Sequence, residues 1–303
     1  MVISFEKDFE IKKLTSFKLG GQIARVYFPH CEADFVEVMQ SEPQAIVLGN
    51  ISNVLISDDG YPGAVVLTSK MDKISVEGSR VVADCGVKGQ RLAQEVAKFG
   101  LGGLEFLIGF PGAVGGEVYM NASANGQAIS DNLVKVRAYC PERGVFELKR
   151  DEMVFGYRSS ICQKKDIKIL SAEFELTCAT VEKVNARMQE CLAFRRNHQP
   201  LLSLPNCGSI FKNPEGESAG RLLDSCGVKS WQQGGVRVWE NHANFIVNDR
   251  AGTSTDVLEL MYRMQVAVEE KFGIKLEPEI IFLGGNNKRE EELCKMLYQK
   301  MQK

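Results

Sequence analysis

No Cys-x-x-Cys pair occurs in this chain, and none of its three histidines, His30, His198 and His242, lies at ligand spacing from a cysteine pair. A zinc site is therefore not expected. The nine cysteines are odd in number and scattered, which suits reduced, mostly structural thiols in a reducing compartment. Excess charge of one sign is missing too: 37 Lys and Arg face 39 Asp and Glu, a formal net charge of -2. That balance removes the electrostatic case for a nucleic-acid or anionic-membrane partner, so a phosphate-bearing ligand must be held by a local site. No run approaches roughly 18 uncharged apolar residues, and the first residues carry charges where a signal peptide needs an apolar core. The expectation is a soluble, cytoplasmic protein with no metal, no nucleic acid, no membrane span and no obligate protein partner.

What is present fills two or three domains, given 303 residues. Ala45–Leu48, Val54–Ile56 and Ala64–Leu67 read as strands, followed by a pair at Ile74–Val76 and Val81–Ala83 and a helix over 88–99. Residues 134–138 and 168–170 return to strand texture. A helix is predicted over 180–197 from Val184, Met188 and Leu192 at spacing four. A second is predicted over 254–272, capped by Thr253 or Ser254 and stopped by Gly273. The tail 286–303 is charged and helix-prone, and Leu276–Gly284 reads as a strand that carries Glu279 into an apolar run.

Two glycine-rich loops stand out. Gly49-Asn50-Ile51-Ser52-Asn53 follows a buried strand, and Gly109-Phe110-Pro111-Gly112-Ala113-Val114-Gly115-Gly116 leads into Met120-Asn121-Ala122. Neither is a Walker loop, and no GxGxxG follows a strand. Glycine lets backbone N–H groups approach an anion closely. Between residues 99 and 134 there is no Lys or Arg, so backbone amides are expected to do the anion-binding work. A plain turn is the commoner reading of the first loop and an even rival for the second; two such loops in one half of the chain favour a pyrophosphate-bearing cofactor.

Three polar groups could carry chemistry. Arg158, in Tyr157-Arg158-Ser159, offers a planar fork to a carboxylate, or simply a surface ion pair. Ser209, in Gly208-Ser209-Ile210-Phe211-Lys212-Asn213-Pro214, could give or take a proton, or merely occupy a turn. No histidine adjoins it and no G-x-S-x-G elbow occurs, which argues against an acyl-enzyme. Glu279 is expected to be partly buried, which would suit proton handling, although it could equally begin an edge strand.

In this order, and together with Thr15–Gly21, Asp58, Gly60, Gly103–Leu107, Gln199-Pro200, His242–Phe245 and Glu277–Glu279, these motifs resemble the UDP-N-acetylenolpyruvoylglucosamine reductase family, in its shorter subgroup, across nearly the whole chain. The resemblance implies an α+β, three-domain flavoprotein. A two-domain FAD-binding module of the vanillyl-alcohol-oxidase-like type would occupy 1–67 and 68–198, with 284–303 packing back on the first part. An α+β substrate domain would occupy 199–283. The implied activity is reduction of UDP-N-acetylglucosamine enolpyruvate by NADPH, with non-covalent FAD, in peptidoglycan precursor synthesis. The implied catalytic residues are Arg158, Ser209 and Glu279. FAD contacts would fall on Gly49, Asn50, Ser52, Asn53, Gly112, Ala113, Gly115, Gly116 and Asn121. Substrate contacts would fall on Tyr157, His198, Lys212, Asn213 and His242.

Some positions depart from the family pattern. Ile51 stands where a second glycine is usual, and a β-branched residue there predicts that the turn avoids positive φ. Glu117 and Ser123 replace small residues or glycine, and Asn125 an aromatic. Two rival readings remain: a sugar or alcohol oxidase of the same flavin fold, and a nucleotide-sugar-binding protein without flavin. The sole histidine of the first segment, His30, lies outside the Gly49–Asn53 turn, which disfavours a covalent flavin tether.

Overall fold

A five-stranded antiparallel sheet dominates the first half of the computed structural model, which describes residues 4–201 and 203–298. Its strands run in the order Gly144–Lys149, Leu133–Cys140, Lys168–Glu175, Arg80–Asp84, Ile74–Glu77. Alternate residues of Arg80–Asp84 point inward, as a sheet with one packed face requires: Val81 and Ala83 are wholly buried while Val82 is exposed. The helix Gly89–Ala97 buries Leu92, Ala93, Val96 and Ala97 and lies inside the 88–99 expected for it. The short helix Val114–Tyr119 packs on Lys168–Glu175 and Arg80–Asp84. These elements form one unit, comprising the N-terminal residues to Glu6, Val26–Asn50 and Ala64–Arg195, with Phe35, Phe106 and Phe174 fully enclosed in its core. Within it Ile46–Leu48 pairs in parallel with Val65, Val66 and Leu67.

The second unit comprises Lys7–Arg25, Ile51–Gly63 and Arg196–Lys303. The strands Phe5–Glu10, Gln22–Tyr27 and Tyr61–Leu67 each contain residues of both units. The first unit ends at Arg195, and the described residues 284–298 fall in the second unit.

The long helix of this unit, Ser254–Phe272, begins and ends on the signals read from sequence. The Thr253 hydroxyl accepts from Asp256 N at 3.1 Å, Asp256 accepts from Thr253 N at 2.9 Å, and Gly273 closes the helix at φ +67°. Val257, Met261, Met264 and Val268 form its buried stripe. The helix Lys288–Tyr298 packs against it through Leu293 and Leu297. At the join, Glu290 is 1% exposed and its carboxyl accepts from Ser57 at 2.6 Å, Ser254 at 2.5 Å and Thr255 at 3.1 Å. Asp58 accepts from Gly20 N at 2.9 Å and from Ser254 N at 2.7 Å. Asp58 is thus a structural clasp that fixes the Gly20-Gly21 turn to the start of the long helix.

The strand expected over Leu276–Gly284 is regular only at Ile281–Leu283. Pro278 has no N–H to give a regular ladder and makes only an isolated antiparallel bridge with Phe211, its two neighbours bonding to the same segment. Glu277 O accepts from Lys212 N at 2.9 Å and Glu279 N donates to Ile210 O at 2.7 Å. Two residues later Ile281 N donates to Asn53 O at 3.0 Å, and Ile281–Leu283 pairs in parallel with Val54–Ile56.

Candidate active site

In the first unit the two glycine loops meet. Asn50 Nδ2 donates to Pro111 O at 2.5 Å, and a Cβ on Gly49 would come 3.2 Å from the Cβ of Ala113. The second loop is stitched to residues 85–88: Val114 N donates to Val87 O and Gly115 N to Cys85 O, both at 2.8 Å, while Ala113 bridges to Lys88. A Cβ on Gly115 would stand 2.8 Å from that of Cys85, so only glycine fits; Gly116 has nothing within 4 Å on its Cβ side and leaves room for a ligand. Burial pushes the Cys85 thiol up to about 12, so it stays neutral and inert.

Basic side chains from elsewhere in the chain do lie near the loops. Lys88 and Arg91 line a cavity of about 250 Å³ with Gly49, Asn50, Ser69 and Gly86, and Asp72 on its wall pairs with Arg91 at 2.7 Å. The side chain of Arg195 also lies 3.5 Å from where a Gly109 Cβ would be. These cations come from elements distant in sequence from the loop, and no local pattern marks them.

One correction concerns Ile51. Its φ is +48°, in the left-handed region that a β-branched residue disfavours. The side chain is 4% exposed, and its burial offsets a backbone cost of about 1–3 kcal/mol.

Four buried oxygens following the second loop have no hydrogen-bond partner among the described residues: both of Glu117, Oδ1 of Asn121 and Oε1 of Gln127. Asn121 was expected at the cofactor; Glu117 and Gln127 were not. FAD presents hydroxyl and N–H donors along its ribityl chain and ring, which the amide oxygens of Asn121 and Gln127 suit, while its pyrophosphate suits Lys88, Arg91 and the glycine backbone. A carboxylate at 117 would oppose that anion, but burial pushes its pKa to about 8 and leaves it mostly neutral at pH 7. The residues fit the cofactor on that condition.

Arg158 sits close by within this unit. Gly156 and Ser159 exchange backbone bonds of 3.0 and 3.2 Å, which forms a tight turn with Arg158 at φ +51°. Its guanidinium lies 5.1 Å from the Tyr157 ring and donates to Ser123 Oγ at 2.9 Å. Asn121 Nδ2 donates to Gly156 O at 3.0 Å, which fastens the Tyr-Arg-Ser turn to the segment after the second glycine loop. Ser123, a departure from the family pattern, thus anchors the arginine by one hydrogen bond.

The second unit assembles the other candidates. Gly208, at φ +79°, donates its N–H to Asn206 Oδ1 at 3.0 Å and turns the chain into Ser209. Asn244, 3% exposed, clamps Phe211, two residues on from Ser209: its Oδ1 accepts from Phe211 N at 2.9 Å and its Nδ2 donates to Phe211 O at 2.8 Å. With Ile210 bonded to Glu279 N, Ser209 and Glu279 adjoin paired residues of neighbouring segments. Asn53 Nδ2 donates to Glu279 O at 3.0 Å, bringing the end of the first loop to the same place. Lys212 ion-pairs with Glu277 at 2.7 Å. Asn213 Oδ1 accepts from Ala219 N at 3.0 Å. His242 lies against Gly220, where a Cβ would come 2.9 Å from its ring, and stacks edge-on to Phe245. Burial chiefly, then the nearby Lys229, holds His242 below the usual imidazole value. His198 is exposed at the end of the helix Val181–His198.

Residues 23–148 match the family model of an FAD binding domain, which with the paired glycine loops places the chain among FAD-binding flavoproteins. Residues 199–283 match the C-terminal domain of UDP-N-acetylenolpyruvoylglucosamine reductase. The enzyme of that name from Caldicellulosiruptor bescii is 40% identical over 93% of this chain and 91% of its own length; that from Bacillus velezensis is 37% identical over 90% and 91%. The crystal structure of UDP-N-acetylenolpyruvylglucosamine reductase from Thermus caldophilus superposes with a TM-score of 0.81 at 31% identity, covering 93% of this chain and 99% of its own. The chain belongs to the UDP-N-acetylenolpyruvoylglucosamine reductase family. Among the described residues no helix is long and apolar enough to cross a membrane.

Proposed function

We propose that this chain reduces UDP-N-acetylglucosamine enolpyruvate to UDP-N-acetylmuramate with NADPH, as a step of peptidoglycan precursor synthesis in the cytoplasm, without nucleic acid or an obligate protein partner. Residues 1–67 and 68–198 supply the two FAD-binding subdomains, and residues 199–283 supply the substrate domain. FAD, held non-covalently, provides hydride transfer from NADPH to the substrate double bond. Arg158 pairs with the substrate carboxylate and stabilises the negative charge that develops beside it. Ser209 gives the proton that completes addition across the double bond. Glu279 assists as a hydrogen-bonding carboxyl, and Tyr157, His198, Lys212, Asn213 and His242 take the nucleotide-sugar.

The observation that carries this reading is the backbone bond from Glu279 N to Ile210 O, 2.7 Å long, which fixes the carboxyl-bearing segment beside the serine-bearing one. An absorption spectrum of the purified protein, followed by addition of NADPH and then substrate, tests it. Flavin bands that bleach with NADPH and return with the enolpyruvyl substrate support the reading. A colourless protein that takes up no added FAD defeats it, and colour that survives acid precipitation of the protein would point to a tethered-flavin oxidase.

The Ser123 anchor gives a sharper expectation. Ser123→Ala removes one hydrogen bond to a charged group, worth about 1.5–3 kcal/mol, so the return of flavin colour with substrate should slow about tenfold or more. Bleaching by NADPH should be unchanged and Ser123→Thr should restore the rate. Equal slowing of both half-reactions would show that Ser123 serves the fold and not Arg158.

A further inference from the structure

We propose that Glu117 must carry its proton for the chain to hold FAD, so that cofactor occupancy is gated by a single carboxyl at the base of the second glycine loop. This rests on the flavoprotein reading above and adds to it a residue that the family resemblance does not assign.

The geometry is specific. Glu117 lies in the first turn of Val114–Tyr119, 4% exposed, and both carboxyl oxygens lack a partner among the described residues. Two glycines make its space: a Cβ on Gly89 would come 2.3 Å from Oε1, and one on Gly112 would come 2.8 Å from the same atom. Gly112 belongs to the loop proposed for FAD, and Gly89 opens the helix whose cap, Lys88, lines the adjoining cavity. The carboxyl is therefore wedged directly beneath the cofactor loop, where it has one wall of backbone and no donor.

Among the described residues no neighbour supplies a counter-charge, and burial governs its titration. On the facing strands, Arg80 is engaged with Glu173 and Glu175, Lys168 with Asp166, and Asp84 accepts from Lys73 N. At the start of the Gly89–Ala97 helix Arg91 is held by Asp72, Glu95 by Lys98, and Lys88 is exposed. Asp131 accepts from Ala128 N, the thiol of Cys85 is neutral, and the hydroxyl of Tyr119 is itself raised by burial. A negative charge at 117 would thus stand uncompensated under a loop that receives a pyrophosphate. A neutral acid there keeps one O–H to donate and one oxygen to accept.

The test uses the FAD-loaded protein. Free FAD fluorescence after dilution reads its dissociation constant from pH 6.5 to pH 9. If only the protonated form retains FAD, affinity follows the neutral fraction, which for a carboxyl titrating at about 8 means a loss of about tenfold by pH 9. Glu117→Gln, always neutral and nearly isosteric, should hold FAD with no such loss. Wild-type affinity that stays flat to pH 9, or an equal loss in Glu117→Gln, overturns the proposal. Should that variant fail to accumulate, the infrared carbonyl band of a protonated carboxyl in the wild type serves instead. It should fade in step with FAD release, and its absence at neutral pH overturns the proposal. A protein that binds no FAD at any pH defeats the flavoprotein reading itself; a yellow protein with pH-independent retention defeats only the role of the proton.

Discussion

Ser209→Ala is expected to bleach with NADPH at the wild-type rate and to recover its colour with the enolpyruvyl substrate about 100- to 10,000-fold more slowly, the usual worth of a positioned proton donor. The two half-reactions separate binding from chemistry. A serine that merely fills the Gly208–Asn213 turn would, when replaced, disturb both or neither. The backbone of that turn is held independently of the hydroxyl, by Asn206 on Gly208 and by Asn244 on Phe211, so removing one oxygen leaves the support in place. Stopped-flow absorbance with each reagent in turn measures the split. Normal recovery of colour would remove Ser209 from the chemistry and leave the family membership untouched.

Glu117→Gln is expected to change the pH dependence of stability on a comparable scale. The folded protein holds the Glu117 proton up to about pH 8, whereas the unfolded chain loses it near 4.5. Below 4.5 both states are protonated and the group is silent. Between the two values the unfolded state sheds its proton while the folded state keeps it, so stability falls as pH rises, by up to about 1.4 kcal/mol per pH unit. Above 8 the loss is complete, on the order of 5 kcal/mol. Urea midpoints of the FAD-free protein at pH 5, 6.5 and 8 should therefore decline for the wild type relative to Glu117→Gln. Parallel curves would mean that the folded state lets the carboxyl reach water or a donor.

Much of this molecule can be read along the chain where the determinant is local. Thr253, Asp256 and Gly273 mark the ends of a helix because capping is settled within four residues. The hairpin of Ile74–Glu77 and Arg80–Asp84 follows from alternation and a turn at Gly78, whose φ is +60°. The motif order was sufficient to find the family and the neighbourhood of Ser209, Glu279 and Asn53. What escaped depends on distant segments meeting. Lys88 stands 25 residues before Ala113, yet the two are bridged, so a loop poor in basic residues lies next to a cation. Ile51 was expected to avoid positive φ, but burial of its side chain outweighs the local preference. The 276–284 segment changes partner between Glu279, bonded to Ile210, and Ile281, bonded to Asn53, a switch set by which distant segments lie beside it. The isolation of Glu117 arises only once Gly89 and Gly112 close over it, and nothing in Gly-Gly-Glu-Val announces that.

The parallel ladder between Val54–Ile56 and Ile281–Leu283 joins stretches more than two hundred residues apart. During translation the earlier strand must therefore wait, unpaired, while most of the polypeptide emerges from the ribosome. Val54, Leu55 and Ile56 are all buried in the finished protein, so the nascent chain exposes an apolar edge throughout that interval. Closure of such a long loop is slow. Truncated or stalled products lacking the later strand should consequently be aggregation-prone and natural clients for chaperones, even though the first unit's sheet is already encoded upstream.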